Sequence, residues 1–350
     1  MKKPEPVISV CIPVYETEAY LAQCLRSVYS QDFASFEVLV LSDASPARDE
    51  KGRSAKKITK AAQKECKAYR KEMALPPVKI RFLEHRKNRG CVEVRRSLVY
   101  EARGQYIAML DSDDEFLEGA IAALYEAALQ NEADMVHGTF LSGQYDENGV
   151  FCESEEKRCS RIFYGRKEGL DIARSWFAGI FSGNVCGKLI KKSLYEKAFA
   201  DIPYTECNMA DDLLIFFFLG MYASRYVGIE KKVYRYRINS GMSSGRSIDS
   251  LQKWKLLCTS ASVFSIISLW IKENNAKDKP LLSGEDLDHL GRVTLRYLTD
   301  NVLLLYRRVS PNLFSEARQM LFDYWGEDFV VNVEKVMKEK EKSPVPQSFD

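Results

Sequence analysis

Apolar positions in the first 140 residues recur in two alternating rhythms. Short, nearly unbroken apolar runs at 7–14, 37–41, 78–83, 106–110 and 135–140 have the length and flanking turn residues of buried strands. Between them, 18–30, 91–103 and 117–131 space their apolar residues as helices do, with Leu21, Leu25 and Val28 marking the buried stripe of the first. A long polar helix is predicted over 48–72, ending before Pro76 and Pro77. Such alternation implies right-handed helical crossovers and an α/β, doubly wound, mostly parallel sheet. Asn148 and Gly149 predict a hairpin turn, and beyond residue 248 the pattern is helical over 251–272, 287–307 and 312–338. The expected organisation is an α/β domain over 1–245, a helical region over 246–338 and a disordered tail over 339–350, rich in Lys, Glu and Pro.

Composition narrows the function classes. Lys plus Arg number 51 against 49 Asp plus Glu, so overall charge gives no reason to expect nucleic acid as a partner. The nine cysteines are odd in number and never form a CxxC pair, which predicts free thiols in a reducing compartment; Cys11, Cys24 and Cys258 fall in apolar patterns. Pro4, Glu5, Pro6 and Pro13 interrupt the N-terminal apolar run, unlike a signal peptide. The apolar stretches Leu213–Ala223 and Ser260–Ile271 fall short of the roughly 20 residues that span a bilayer. A cytoplasmic protein is expected, with peripheral contact at the cytoplasmic membrane face as a further option. The stretch 48–72 carries ten Lys or Arg against four Asp or Glu, which reads as a solvated face or as a surface for anionic lipid headgroups. The apolar C-terminal helices could pack on the α/β domain, on a second subunit in a homo-oligomer, or on a membrane. His85, His137 and His289 have no metal-ligand spacing.

The chemistry concentrates in Gly104 to Phe116, GQYIAMLDSDDEF, where an apolar strand runs into Asp111, Asp113 and Asp114. Carboxylates at a strand's carboxyl end lie where open α/β sheets bind ligands, and hard oxygens there suit Mg²⁺ or Mn²⁺ shared with a phosphorylated substrate. Asp114 also reads as a cap for the following helix. Tyr15 and Asp43 follow the first two strands: a ring to stack on a base and an acceptor for a ring N–H, or else a packed tyrosine and a turn aspartate. A second constellation, Asn208 to Asp212, opens the apolar helix LLIFFFLGMYA. Asn208 and Asp211 have capping-box spacing, while Asp212 points about 100° further round, where a helix N-terminus stabilises an ionised carboxylate. Lys188 reads as a surface lysine, and the alternating VYRYRI at 233–238 fits an edge strand.

These segments together resemble a family. PVYETEAYLAQCLRSVYSQDFASFEVLVLSDASP and NRGCVEVRRSLVYEARGQYIAMLDSDDEF are similar to the nucleotide-binding half of the inverting family 2 glycosyltransferases of GT-A fold, closely over 7–140. The likeness extends more loosely to about 245 through NVCGKLIKKSLYEKAF, NMADDLLIFF and YRYRINSGMSSG. The resemblance implies a transferase of hexosyl or N-acetylhexosaminyl type, using a nucleoside-diphosphate sugar, most simply UDP-linked, with Mn²⁺ or Mg²⁺. It implies a hydroxyl acceptor on a glycan or glycolipid, in assembly of a bacterial surface polysaccharide or glycolipid. Pro13 and Tyr15 match the turn that frames the uracil, and Asp43 matches the base-binding acid, with Ser42 replacing the acid before it. Arg95 matches an arginine near base and phosphate. Asp111 and Asp113 match the DxD pair, the first near ribose and metal, the second a metal ligand. Asp212 matches the catalytic base, with Asp211 as the alternative. Arg237, in a segment that closes over the diphosphate, is the candidate phosphate contact, with Asn239 in the same segment. Two other classes compete: a sugar-nucleotide pyrophosphorylase, which would show a Gly-rich loop that CIPVYETEAY lacks, and a non-catalytic sugar-nucleotide-binding module, which the acids at 211 and 212 disfavour.

Overall fold

The computed structural model describes residues 5–154, 161–238, 247–275 and 280–342. Contacts divide the chain into two compact units, Met1–Glu206 with Asp211–Ser244, and Cys207–Ala210 with Gly245–Asp350.

The first unit opens with the expected alternation of β1 (Ile8–Val14), α1 (Glu18–Tyr29), β2 (Phe36–Ser42), α2 (Ala55–Glu72), β3 (Lys79–Glu84), α3 (Cys91–Glu101) and β4 (Tyr106–Met109). β3, β2, β1 and β4 lie side by side and parallel. β1 and β2 are buried on both faces, which is why their sequences are continuous apolar runs. α2 begins at Ala55 rather than at residue 48. Before it, the Asp49 carboxylate accepts from the backbone N–H groups of Lys51 and Arg53 and pairs with the Arg53 side chain, which folds that stretch into a turn.

The rest of the unit departs from simple parallel winding. It comprises β5 (Glu115–Phe116), α4 (Ala120–Gln130), β6 (Met135–Tyr145), β7 (Phe151–Glu153), β8 (Gly165–Glu168), α5 (Leu170–Phe177), β9 (Lys188–Lys191), α6 (Lys192–Asp201), α7 (Asp211–Tyr222) and β10 (Arg225–Arg237). β9 inserts between β4 and β6, antiparallel to both. β10 runs parallel to β6 and antiparallel to β5, so the VYRYR segment is an interior strand and not an edge. The hairpin at 148–149 forms as the sequence indicates, joining β6 to β7 with Gly149 at φ 76°.

Buried polar ties fix the strand ends opposite the acids. Ser9 Oγ donates to Glu37 Oε1 at 2.9 Å and accepts from the Gly104 N–H at 2.9 Å, while the Arg103 N–H reaches the same Glu37 oxygen at 2.8 Å. A Cβ at residue 104 would stand 2.5 Å from the Ser9 nitrogen, so only glycine lets the chain enter β4 this close to β1. Arg70, fully buried on α2, donates to the carbonyls of Tyr29, Gln31 and Phe33 and so closes the end of α1.

The second unit is helical: α8 (Leu251–Cys258), α9 (Ser260–Asn275), α10 (Gly284–Arg308), a 3₁₀ turn at Pro311–Leu313, α11 (Phe314–Trp325) and α12 (Glu327–Lys342). The helix expected over 312–338 breaks at Gly326, whose φ is 86°, and the one expected over 251–272 divides at Thr259. Trp254, Leu298, Val302, Leu305, Leu321 and Val330 form the core, and Trp254 Nε1 donates to the Ala317 carbonyl at 2.8 Å. By length and composition alone, the stretch Leu251–Asn275, divided at Thr259, would suffice to cross a membrane. Trp254 and Cys258 on that stretch are nevertheless buried in the helical core. α12 carries helix through 339–342, the start of the expected tail, and 343–350 lie outside the described residues.

Candidate active site at the carboxyl edge of the sheet

The turn after β4 carries Asp111, Ser112, Asp113 and Asp114. Asp111 and Asp113 are partly exposed, whereas Asp114 is buried. Asp114 does not cap a helix: α4 starts at Ala120 after Gly119, and Asp114 accepts from the Tyr234 hydroxyl at 2.8 Å and the Arg237 N–H at 2.7 Å. Tyr234 also accepts from the Asp111 N–H at 3.2 Å, so one buried phenol on β10 holds both ends of the acidic turn. Burial, and after it the negative charges of Asp113 and Asp111, push the Asp114 carboxyl well above the usual range.

Arg95, on α3 and 7% exposed in its side chain, links this turn to the start of α7. Its Nη2 donates to Asp111 Oδ1 at 2.9 Å and its Nε to Asp211 Oδ2 at 3.0 Å, and Nη2 stands 3.7 Å from Asp212 Oδ1. The residue before α7 is Ala210, at φ 63°, and Asp211 spends its carboxylate on Arg95, so an ion pair replaces the capping box as its role. Asp212 Oδ1 and Arg95 Nη1 are both buried without a hydrogen-bond partner among the described residues. The Asp212 side chain is still 35% exposed, which places its open edge on the other oxygen. Burial raises its pKa to about 7, assisted by Asp211 and Asp111 and opposed by Arg95 and Lys188.

Pro13 and Tyr15 stand half-buried at the end of β1, and the Tyr15 phenol pairs with the Asn88 side chain. Asp43 stands at the end of β2, but it is turned inward. Its two oxygens take the backbone N–H groups of Arg89 and Gly90 at 2.9–3.1 Å and His85 Nδ1 at 2.6 Å. It anchors the 85–90 loop beside Tyr15. Arg237 is likewise turned in. Its Nε donates to the Asp113 carbonyl at 3.1 Å and its Nη2 to Gln23 Oε1 at 2.8 Å, with its guanidinium between the rings of Tyr20 and Tyr145. In this arrangement Arg237 braces the acidic turn from beneath. Asn239 lies outside the described residues. Lys188, in GKLIKK, matches a recurrent lysine of the resembled family and reads more simply as a surface lysine, but it is buried.

Thr17 and Ser112 were not singled out in the sequence, yet their hydroxyls meet at 2.6 Å, tying the start of α1 to the acidic turn. Tyr234 falls in the VYRYRI segment already matched to the family, but its role as the phenol that holds the acidic turn comes from long-range contacts with Asp111 and Asp114.

Two carboxylates fit a divalent cation in the mode Mg²⁺ commonly adopts, with one or two protein acids and the substrate's phosphates completing the shell. Among the described residues no group of three His, Cys, Asp or Glu side chains forms a self-sufficient metal cage.

A mixed α/β sheet with acids gathered at its carboxyl edge is the architecture of the GT-A sugar-nucleotide transferases. Residues 9–199 match the family described as Glycosyl transferase family 2, and the chain belongs to that family: it is a glycosyltransferase. It is 26% identical over 239 residues to "Glycosyltransferase GlyG" of Streptococcus pneumoniae, covering 67% of this chain and 72% of that one. It is 22% identical over 271 residues to "Putative glycosyltransferase EpsH" of Bacillus subtilis, covering 77% and 70%. Among solved structures, S. aureus TarS 1-349 in complex with UDP-GlcNAc superposes with a TM-score of 0.52 at 17% identity, over 98% of this chain and 93% of that one, a likeness of fold.

Proposed function

We propose that the protein transfers a sugar from a nucleoside-diphosphate sugar, UDP-linked, to an acceptor hydroxyl with inversion, in a reaction assisted by Mg²⁺ or Mn²⁺. The observation that carries this reading is the Asp111–Arg95–Asp212 link, which holds a carboxylate of raised proton affinity next to the acidic turn. TarS, the structural neighbour, was crystallised with UDP-GlcNAc and with UDP, which supports a UDP-sugar as donor. Tyr15 and Pro13 receive the base, with Asp43 acting through the 85–90 loop that it anchors. Arg95 Nη1, buried and without a partner among the described residues, is a donor available to a phosphate or ribose oxygen. The cation, held by Asp113 and Asp111, would neutralise charge growing on the departing diphosphate.

Asp212 accepts the proton of the attacking hydroxyl. A base with a pKa near 7 is matched to work near neutral pH, since it is ionised there yet still holds a proton well. Asp211, engaged by Arg95, orients that arginine. A single displacement needs no covalent intermediate, and inverts the anomeric centre. The acceptor in this reading is a glycan or glycolipid of a bacterial surface polymer, and the protein works in the cytoplasm, with peripheral membrane contact and self-association through the helical unit as further parts of the proposal.

The stereochemical part is tested by hydrolysis, with water as the acceptor. Incubated with UDP-GlcNAc and Mn²⁺ in D₂O, the protein is expected to release the β-anomer first, read by proton NMR before mutarotation. Release of the α-anomer would overturn inversion.

A further inference from the structure

Lys188 opens β9 and is 1% exposed, yet among the described residues it has no ion-pair partner. Its three N–H donors go to neutral acceptors on two different segments. Nζ donates to the carbonyls of Ser182, at 3.1 Å, and Asn184, and to His137 Nε2 on β6 at 3.2 Å, with Asn184 Oδ1 at 3.4 Å. A histidine that accepts at Nε2 carries its proton on Nδ1, which here meets the Tyr226 hydroxyl at 3.0 Å. The ammonium also stands 5.3 Å from the centroid of the Phe216 ring on α7. Phe216 lies four residues after Asp212, one turn along the same helix face.

The turn gripped by Lys188 adjoins the acidic turn. Cys186 pairs with Met109, the last residue of β4 and two before Asp111, and Asn184 Nδ2 donates to the Cys186 carbonyl at 2.7 Å. One cation thus joins the 182–187 turn, β6 and the face of α7 that carries Asp212. Burying an ammonium is costly, and an apolar side chain of similar length would fill the same volume without that cost.

We infer that Lys188 is a positioning residue, which fixes the 182–187 turn against the Asp212 face of α7 and thereby holds the base at a set distance from the acceptor hydroxyl. This inference rests on Asp212 as the base. The charged and titratable groups facing Asp212 are Arg95 from α3, Asp111 from the acidic turn, Asp211 from α7 itself and Lys188 from β9. Those facing Lys188 are Asp212, Cys186 and His137, and burial together with the Lys188 charge keeps His137 neutral, well below its ordinary value. Burial draws Lys188 down to about 7, with Asp212 and Cys186 opposing. The Lys188 charge lowers the proton affinity of Asp212, so losing it moves the acid limb of activity to higher pH.

The test compares Lys188→Met, His137→Phe and Asp212→Asn with the parent by the pH profile of kcat for UDP-GlcNAc hydrolysis, the donor KM, and UDP affinity. Lys188→Met is expected to keep UDP affinity within about twofold, to lose roughly tenfold or more in kcat, and to shift the acid limb upward by about half a pH unit. His137→Phe, which takes away one acceptor, is expected to do the same to a smaller degree. A folded Lys188→Met protein with unmoved kcat and acid limb overturns the proposal, as does a loss explained wholly by weaker UDP binding. If Lys188→Met does not fold, an unchanged limb in His137→Phe overturns it instead. Should Asp212→Asn keep full activity, the base assignment fails and takes this inference with it; an inactive Asp212→Asn beside an unaltered Lys188→Met sinks the Lys188 role alone.

Discussion

Asp212→Asn is expected to lower kcat by about 10³-fold while leaving UDP affinity within a few fold, because a positioned general base supplies roughly 10²–10⁴ and the substitution keeps the shape of the side chain. The parent's activity should rise with pH through about 7, where Asp212 loses its proton, and this limb should vanish in the variant. The same raised pKa has a stability consequence. The folded state holds a proton on Asp212 that the unfolded chain, with an ordinary aspartate, has already released between about pH 4 and 7. Stability contributed by this group therefore falls as pH rises across that window, and the neutral Asn removes the fall. At pH 8 the variant should melt at or above the parent's temperature, as expected when a residue is kept for chemistry at a cost to the fold. Steady-state kinetics and thermal melts at pH 5.5 and 8 check both halves.

Arg95→Ala is the second large effect, and here stability and activity should fall together. The guanidinium is the shared partner of Asp111 and Asp211 and stands near Asp212, so its removal leaves clustered carboxylates without a cation. Breaking a buried pair by deleting one partner costs about 3–5 kcal/mol. The partial exposure of Asp111 and Asp212, at 34% and 35%, lets solvent screen part of that, so a loss near the lower figure is expected in urea unfolding. With its main opposing charge gone, the Asp212 carboxyl rises further and the acid limb moves to higher pH. Arg95→Lys should not restore the parent, since one ammonium cannot serve acceptors that Nε and Nη2 reach separately. A stable, fully active Arg95→Ala protein would contradict the link between the acidic turn and α7.

What could be read from the sequence was what short spans decide. The apolar runs of β1 and β2, the acids directly after β4 and the paired acids opening α7 are all local patterns, and the strand and helix periods place them at the sheet's edge. What short spans could not show depends on distant partners. Arg237 turns inward to Gln23, 214 residues away, and Asp43 is claimed by a loop more than 40 residues on. Lys188 looks like a surface lysine until β6 and α7 close over it. The insertion of β9 between β4 and β6 reverses the local strand direction, and its four residues carry no periodicity that could announce it. α2 begins late because the Asp49 side chain captures backbone donors in a turn, a competition that helical pattern alone does not register.

The central claim is that the Asp111–Asp113 turn forms a cation-assisted site for a UDP-sugar. Calorimetric titration of UDP into the intact protein, with and without Mn²⁺, and into Asp113→Ala tests it most directly. The account predicts binding that Mn²⁺ strengthens by about tenfold or more and that the substitution abolishes, consistent with hard-oxygen ligation shared between protein and phosphates. Absence of UDP binding under both conditions, or binding indifferent to both Mn²⁺ and the loss of Asp113, would contradict it.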